Sequence, residues 1–123
     1  MLYAAAVILV LLGLVHSVLG ERMLVSRLLK RDNLPKMLGS DVFTKHTIRY
    51  CWHLTSLLAF GMAWMLVQIS EGDPVQALVR TVAITLLLGT VLAVVLTRAR
   101  HLSWVFFLMA AIICLRYAGW PAF

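Results

Sequence analysis

LYAAAVILVLLGLVHSVLG, residues 2–20, carries no charged side chain and is about as long as the ~20 helical residues that a hydrocarbon core of ~30 Å demands. Three further apolar segments follow, at 48–69, 75–96 and 102–118; the last is the shortest and the most dependent on its neighbours. An unpaired backbone amide in hydrocarbon costs several kcal/mol, so segments of this kind must be helical. A composition of 63% hydrophobic and 13% charged residues lies outside the range of a water-soluble domain of this size, and lipid accounts for it. The expectation is an all-α membrane protein, one domain over 1–123, built as a bundle of four transmembrane helices. The first segment lacks a positive leader and a small-residue cleavage pattern, so it reads as a retained helix, and all 123 residues are expected in the mature chain.

The charges between the segments set an orientation. Between the first two lie Arg22, Arg27, Lys30, Arg31, Lys36 and Lys45; the second connection, 70–74, has Glu71 and Asp73 and no base; Arg98 and Arg100 flank the third. Positive charge is retained on the cytoplasmic side, which puts the first and third connections inside and both termini outside. Tyr50, Trp52 and Trp104 then fall near the inner interface, and Tyr3, Tyr117 and Trp120 near the outer one. The basic stretch 22–34 alternates with Met23, Leu24, Val25, Leu28 and Leu29. It can lie on the inner leaflet as an interfacial amphipathic helix or extend the first helix, and Leu34-Pro35 ends it either way. Asp73-Pro74 supplies a cap and a first-turn proline for the third helix. The net charge of +6 is used up flanking apolar spans, so anionic lipid, not nucleic acid, is the expected polyanion. Small size and compactness suggest a bacterial inner membrane.

Thr81, Thr85, Gly89, Ala93 and Thr97 recur every fourth residue on the third helix, a row that lets another helix approach closely where lipid gives no hydrophobic drive. A second row runs through Cys51, Thr55, Ala59 and Ala63, and Gly13 with Ser17 makes a short version on the first helix. Cys51 and Cys114 fall toward opposite ends of the membrane and read as small packing residues, not as a disulfide.

The topology gathers all four histidines, His16, His46, His53 and His101, in the cytoplasmic half. His16 lies about a turn before the charged end of the first helix, and His53 about 8 Å into the second, at similar depth. His46, Tyr50, His53 and Arg49 share one side of the second helix, with Ser56 on a compatible face. On the first helix Gly20 leaves room beside the His16 ring, while Glu21 aligns with Ser17. Ionisable residues inside a span are costly and mark candidate sites.

The first functional reading is therefore a cytoplasmic-side site of His16, Glu21, His53 and His101, supported by Ser17, Arg49, Tyr50 and Ser56. It would bind a metal ion, a proton or a small polar ligand, in a transporter built as a homo-oligomer. Imidazole and carboxylate suit a transition metal, and histidine exchanges protons near neutral pH. An alternative is haem-mediated electron transfer, with His16 and His53 as axial ligands. A third is a non-catalytic subunit or assembly partner in a larger membrane complex. An enzyme is the weakest reading, because no nucleophile has a base in an interpretable arrangement.

Overall fold

The computed structural model describes residues 1–37 and 39–119; Trp120, placed above at the outer interface, lies outside the described residues. Helix α1 spans Leu2–Gly20 and runs without a break through a π-helical turn, Glu21–Val25, into the short α2, Ser26–Leu28. Of the two forms open to the basic stretch, the chain adopts the extension of the first helix, which ends well before Pro35. The connection folds back on itself through Met37 and Ser40, whose backbones exchange hydrogen bonds of 3.0 and 3.2 Å, and Thr44 Oγ1 donates to Pro35 O at 2.7 Å.

Helix α3 spans Val42–Glu71, α4 Val75–Thr97 and α5 Ser103–Tyr117. The second helix thus begins six residues before the apolar segment, at Val42 where 48 was expected. Hydropathy registers only its apolar part, whereas the polar first turns remain helical and carry the Asp41–Lys45 ion pair at 2.6 Å. The hydrogen bond from Lys45 holds the Asp41 carboxyl below the usual carboxylate range. Leu2–Leu28, α3 and α4 are each long and apolar enough to cross a membrane. Helix α5 is apolar too, but its 15 residues reach only ~23 Å.

Gly72 sits just past α3 in the left-handed conformation, with Asp73 N–H returned to Gln68 O at 2.9 Å and Gly72 N–H to Ile69 O at 3.2 Å. This closing motif takes up the orphan carbonyls of α3. It also changes the expected start of α4: Pro74, in extended conformation, is itself the cap, and Asp73 makes no side-chain cap bond because its residue completes the end of α3. The α4–α5 connection turns through two left-handed residues without a glycine, Arg98 (φ 52°) and Ala99 (φ 59°).

Close backbone contact links α1 with α3, α3 with α4, and α4 with α5; α1 approaches neither α4 nor α5. The four long helices thus pack in chain order as an open row. Apart from Val25 and Tyr50, the buried positions are small or polar, among them Ala6, Ala63, Ala83, Ala93, Ala111, Ser56, Thr81 and Thr97. Large aliphatic residues such as Val7, Ile8, Leu11, Val91, Val95 and Ile113 face outward. That distribution inverts the pattern of a water-soluble domain and is consistent with an integral membrane protein.

In the α4 row Thr81, Gly89, Ala93 and Thr97 are buried and Thr85 is half-buried. A Cβ at Gly89 would lie 3.2 Å from the Phe107 ring of α5, and one at Gly61 of α3 would lie 2.5 Å from Thr85 Oγ1. The row on α3 behaves differently. Ala63 is buried, but Cys51 and Thr55 are exposed, because the polar side chains of α3 that turn toward α1 leave Cys51 on the outside. Cys114 is half-buried near the other end of α5, and both thiols are free.

Gly61→Ala should lower stability by about 1–3 kcal/mol, because the added methyl must displace Thr85. Thr85→Ala in the same chain should recover much of that loss. Thermal unfolding in detergent across the four-member cycle measures the coupling, and strict additivity would contradict the contact.

Candidate functional site

Near its charged end, α1 presents His16, Ser17, Gly20 and Glu21 to the first half of α3. The two helices are antiparallel: Tyr3 OH donates to Glu71 Oε1 at the opposite end (3.3 Å), which fixes the depth at which the polar groups meet. Ser17 and Glu21, four residues apart, share a face of α1, and both reach His53. Ser17 Oγ lies 2.6 Å from His53 Nδ1, and Glu21 Oε2 lies 3.2 Å from His53 Nε2. The other carboxylate oxygen of Glu21 receives Arg49 Nε at 3.0 Å, Arg49 Nη2 at 2.8 Å and Ser26 Oγ at 3.0 Å. One carboxylate therefore joins the π turn of α1 to two successive turns of α3.

With Glu21 ionised, the proton positions follow from the charge of the ring. An ionised carboxylate only accepts, so His53 Nε2 carries hydrogen toward Glu21. In the neutral ring Nδ1 is then the acceptor, and Ser17 O–H donates to it. The array reads Ser17 to His53 to Glu21, anchored by Arg49. This is also the order of a nucleophilic triad. The backbone amide of Ser17, however, lies inside α1, where the helix uses it, so no oxyanion site is formed from it.

His16 faces a different part of α3. Its Nδ1 is 3.1 Å from Ser56 Oγ and 3.4 Å from Thr55 Oγ1, and its ring stacks on Trp52 with centroids 4.2 Å apart and planes 10° apart. Trp52 Nε1 donates to the His16 carbonyl at 2.9 Å. The space that Gly20 leaves is occupied by this indole, since a Cβ there would lie 2.5 Å from Trp52 Nε1 and Cζ2. Ser56, buried to 3% exposure, thus serves His16 and not His53. Trp52, expected at a membrane interface, turns into the α1–α3 contact.

His101 and Tyr50 are drawn elsewhere. Tyr50, at 1% exposure, shares a 2.9 Å hydrogen bond with Ser103 Oγ, which is 2.8 Å from His101 Nδ1; the Tyr50 and His101 rings lie 5.4 Å apart. Thr97 Oγ1 accepts from His101 N at 3.2 Å. The expected single cluster is therefore three: His53 with Ser17, Glu21 and Arg49, His16 with Ser56, and His101 with Tyr50. At about 100° per residue, Arg49 and His53 are nearly in line, whereas Tyr50 is rotated about 100° from Arg49, toward α5. His46 stands near Arg49, Arg98 and Arg100.

Beside Ser17 and His53 opens a cleft of about 370 Å³, walled by Leu57 and Phe60 of α3 and by Leu88, Val91, Leu92, Val95 and Leu96 of α4, with Ser56 also on its wall. It exists because α1 and α4 do not meet.

Ligation of metal fits this arrangement poorly. Among the described residues no group of three or more His, Cys, Asp or Glu side chains converges. Both ring nitrogens of His53 are engaged, so it has none to offer a haem iron opposite His16. Sequence reading missed Ser26 and the role of Trp52. Ser26 is five residues after Glu21, a spacing that shares a face only in π-helical geometry.

The chain matches no known family model, and no curated protein or solved structure is significantly similar to it.

Gly20→Ala should expel the Trp52 indole from its seat on His16, lowering stability by about 1–3 kcal/mol and altering tryptophan emission. A Trp52→Phe background, with a smaller ring and no N–H, should blunt the loss. Equal losses in both backgrounds would argue against this packing.

Proposed function

We propose that the chain is an integral membrane protein of four spans, with both termini outside and the Glu21 end on the cytoplasmic side of a bacterial inner membrane. The Ser17–His53–Glu21 array serves in it as a proton-loading site for a small polar group. The observation that supports this is the engagement of both His53 nitrogens, a hydroxyl on one side and a carboxylate on the other. Histidine is the side chain suited to exchanging a proton under physiological conditions.

The array converts protonation into a change of hydrogen-bond polarity. Neutral His53 accepts from Ser17. As imidazolium it donates from both nitrogens, so Ser17 must accept at Oγ and its O–H is freed to turn elsewhere. Glu21, held by Arg49 and Ser26, compensates the new charge without moving. Transport of a proton or small polar solute is the use such a site would serve in an assembly of two or more copies. Cys51 and Thr55, small and exposed on α3, support packing of a second copy or another membrane subunit there.

Two measurements test the reading. The purified protein is expected to show no Soret band and no stoichiometric metal; metal present in wild type and lost in both His16→Ala and His53→Ala would overturn it. In bilayers, ¹⁵N NMR of labelled histidine should show the His53 ring pass reversibly from the Nε2–H tautomer to imidazolium as pH is lowered. Glu21→Gln should scramble the neutral tautomer. Ring signals that stay constant until the protein unfolds would exclude proton loading.

A further inference from the structure

We propose that the cleft between α3 and α4 binds a lipid-soluble molecule whose uncharged head presents a carbonyl oxygen to Ser17, its apolar remainder lying along α4. The inference rests on the proton-loading reading, since it names what the freed Ser17 hydroxyl would bind.

Three observations carry it. First, the cleft is two-sided: Ser17, His53 and Ser56 form one wall, while Phe60, Leu92 and Val95 are among the apolar side chains forming the rest. A small polar solute would leave those walls bare, and a pure hydrocarbon would leave the Ser17 hydroxyl unmatched once a charged His53 no longer accepts from it. An amphipathic occupant satisfies both. Second, the cleft opens between helices whose outward faces are apolar, Leu88, Val91 and Val95 being exposed, so entry from surrounding lipid needs no passage through water. Third, the charges at the polar wall are already matched. Glu21 is met by Arg49 and His53, and among the described residues the charges paired around His53 are Glu21, in the π turn after α1, and Arg49 on α3, while the α4 side chains lining the cleft carry none. An anionic head would find no lysine or arginine in the cleft lining, and a cationic head would compete with Arg49. A neutral acceptor needs only a donor, which Ser17 becomes when His53 is charged. Binding of the head and proton uptake are thereby coupled through one hydroxyl.

Such a carbonyl could belong to a quinone or to the ester of a glyceride. The experiment titrates the full chain in detergent, and again in nanodiscs of saturated phosphatidylcholine, with three probes: a quinone bearing a ten-carbon tail, dioctanoylglycerol, and decylbenzene as an apolar control. Saturable binding of the quinone alone supports the quinone source, and saturable binding of dioctanoylglycerol alone supports the ester source. Ser17→Ala should weaken the carbonyl probe about five- to tenfold, one hydrogen bond's worth, while leaving decylbenzene unchanged. Leu92→Trp, and independently Leu88→Trp, should abolish binding by filling the cleft; unchanged thermal unfolding qualifies each variant as folded. No saturable binding of either carbonyl probe, or binding indifferent to Ser17→Ala and to both tryptophans, would overturn the proposal. The His53 NMR signal read in the same samples separates the two ideas. A ring that charges reversibly without carbonyl binding defeats only the ligand assignment, and a ring that never charges defeats the proton-loading reading beneath it.

Discussion

Glu21 is the joint on which the α1–α3 pair turns. Most of the large apolar side chains of these helices face outward and not against each other, so close packing and interhelical hydrogen bonds must specify the contact. The carboxylate does this from a π turn, where the extra residue per turn brings Ser26 round to the same oxygen that Arg49 holds. Its other oxygen orients His53, and His53 in turn fixes the Ser17 hydroxyl. Register, rotation and depth of α1 against α3 are thereby set at one end, with Tyr3 and Glu71 marking the other.

The two halves of the chain solve the packing problem differently. The α1–α3 contact is polar and aromatic, with Trp52 lying over Gly20 and His16. The α3–α4–α5 contacts use small residues, Gly61 against Thr85 and Gly89 against Phe107, with the buried Thr81 and Thr97 hydroxyls hydrogen-bonded. Thr81 donates to Gln68 Oε1 at 2.7 Å, and Thr97 Oγ1 returns a bond to the Ala93 carbonyl of its own helix. These hydroxyls tolerate burial because the helix supplies a carbonyl four residues back.

Much of this was legible in the residues. Uncharged runs of sufficient length gave the helices, and shared depth put His16 and His53 in the same α1–α3 contact, on different partners. The i,i+4 relation of Ser17 and Glu21 foretold that both would face one partner. What could not be read arises from geometry that spacing conceals. The π turn that recruits Ser26 has no mark in the sequence. Tyr50 and His101 look like members of the same cluster until the rotation of α3 is known, and about 60° between Tyr50 and His53 is enough to send one toward α5 and the other toward α1. Trp52 has the composition of an interfacial anchor, and only the vacancy at Gly20 reveals its inward use. Cys51 and Thr55 have the spacing of a packing row, but that face of α3 is left outside.

The open row has a further consequence, for how the chain is made. Each long helix packs on the one synthesised just before it, and the closure of α5 onto α1 that would complete a ring is absent. A segment emerging from the ribosome therefore finds its partner already in place, and no early helix must wait for a late one. Such locally connected topologies have low contact order and assemble quickly. The polar joint, made entirely within the first two long helices, can form while α4 and α5 are still unmade.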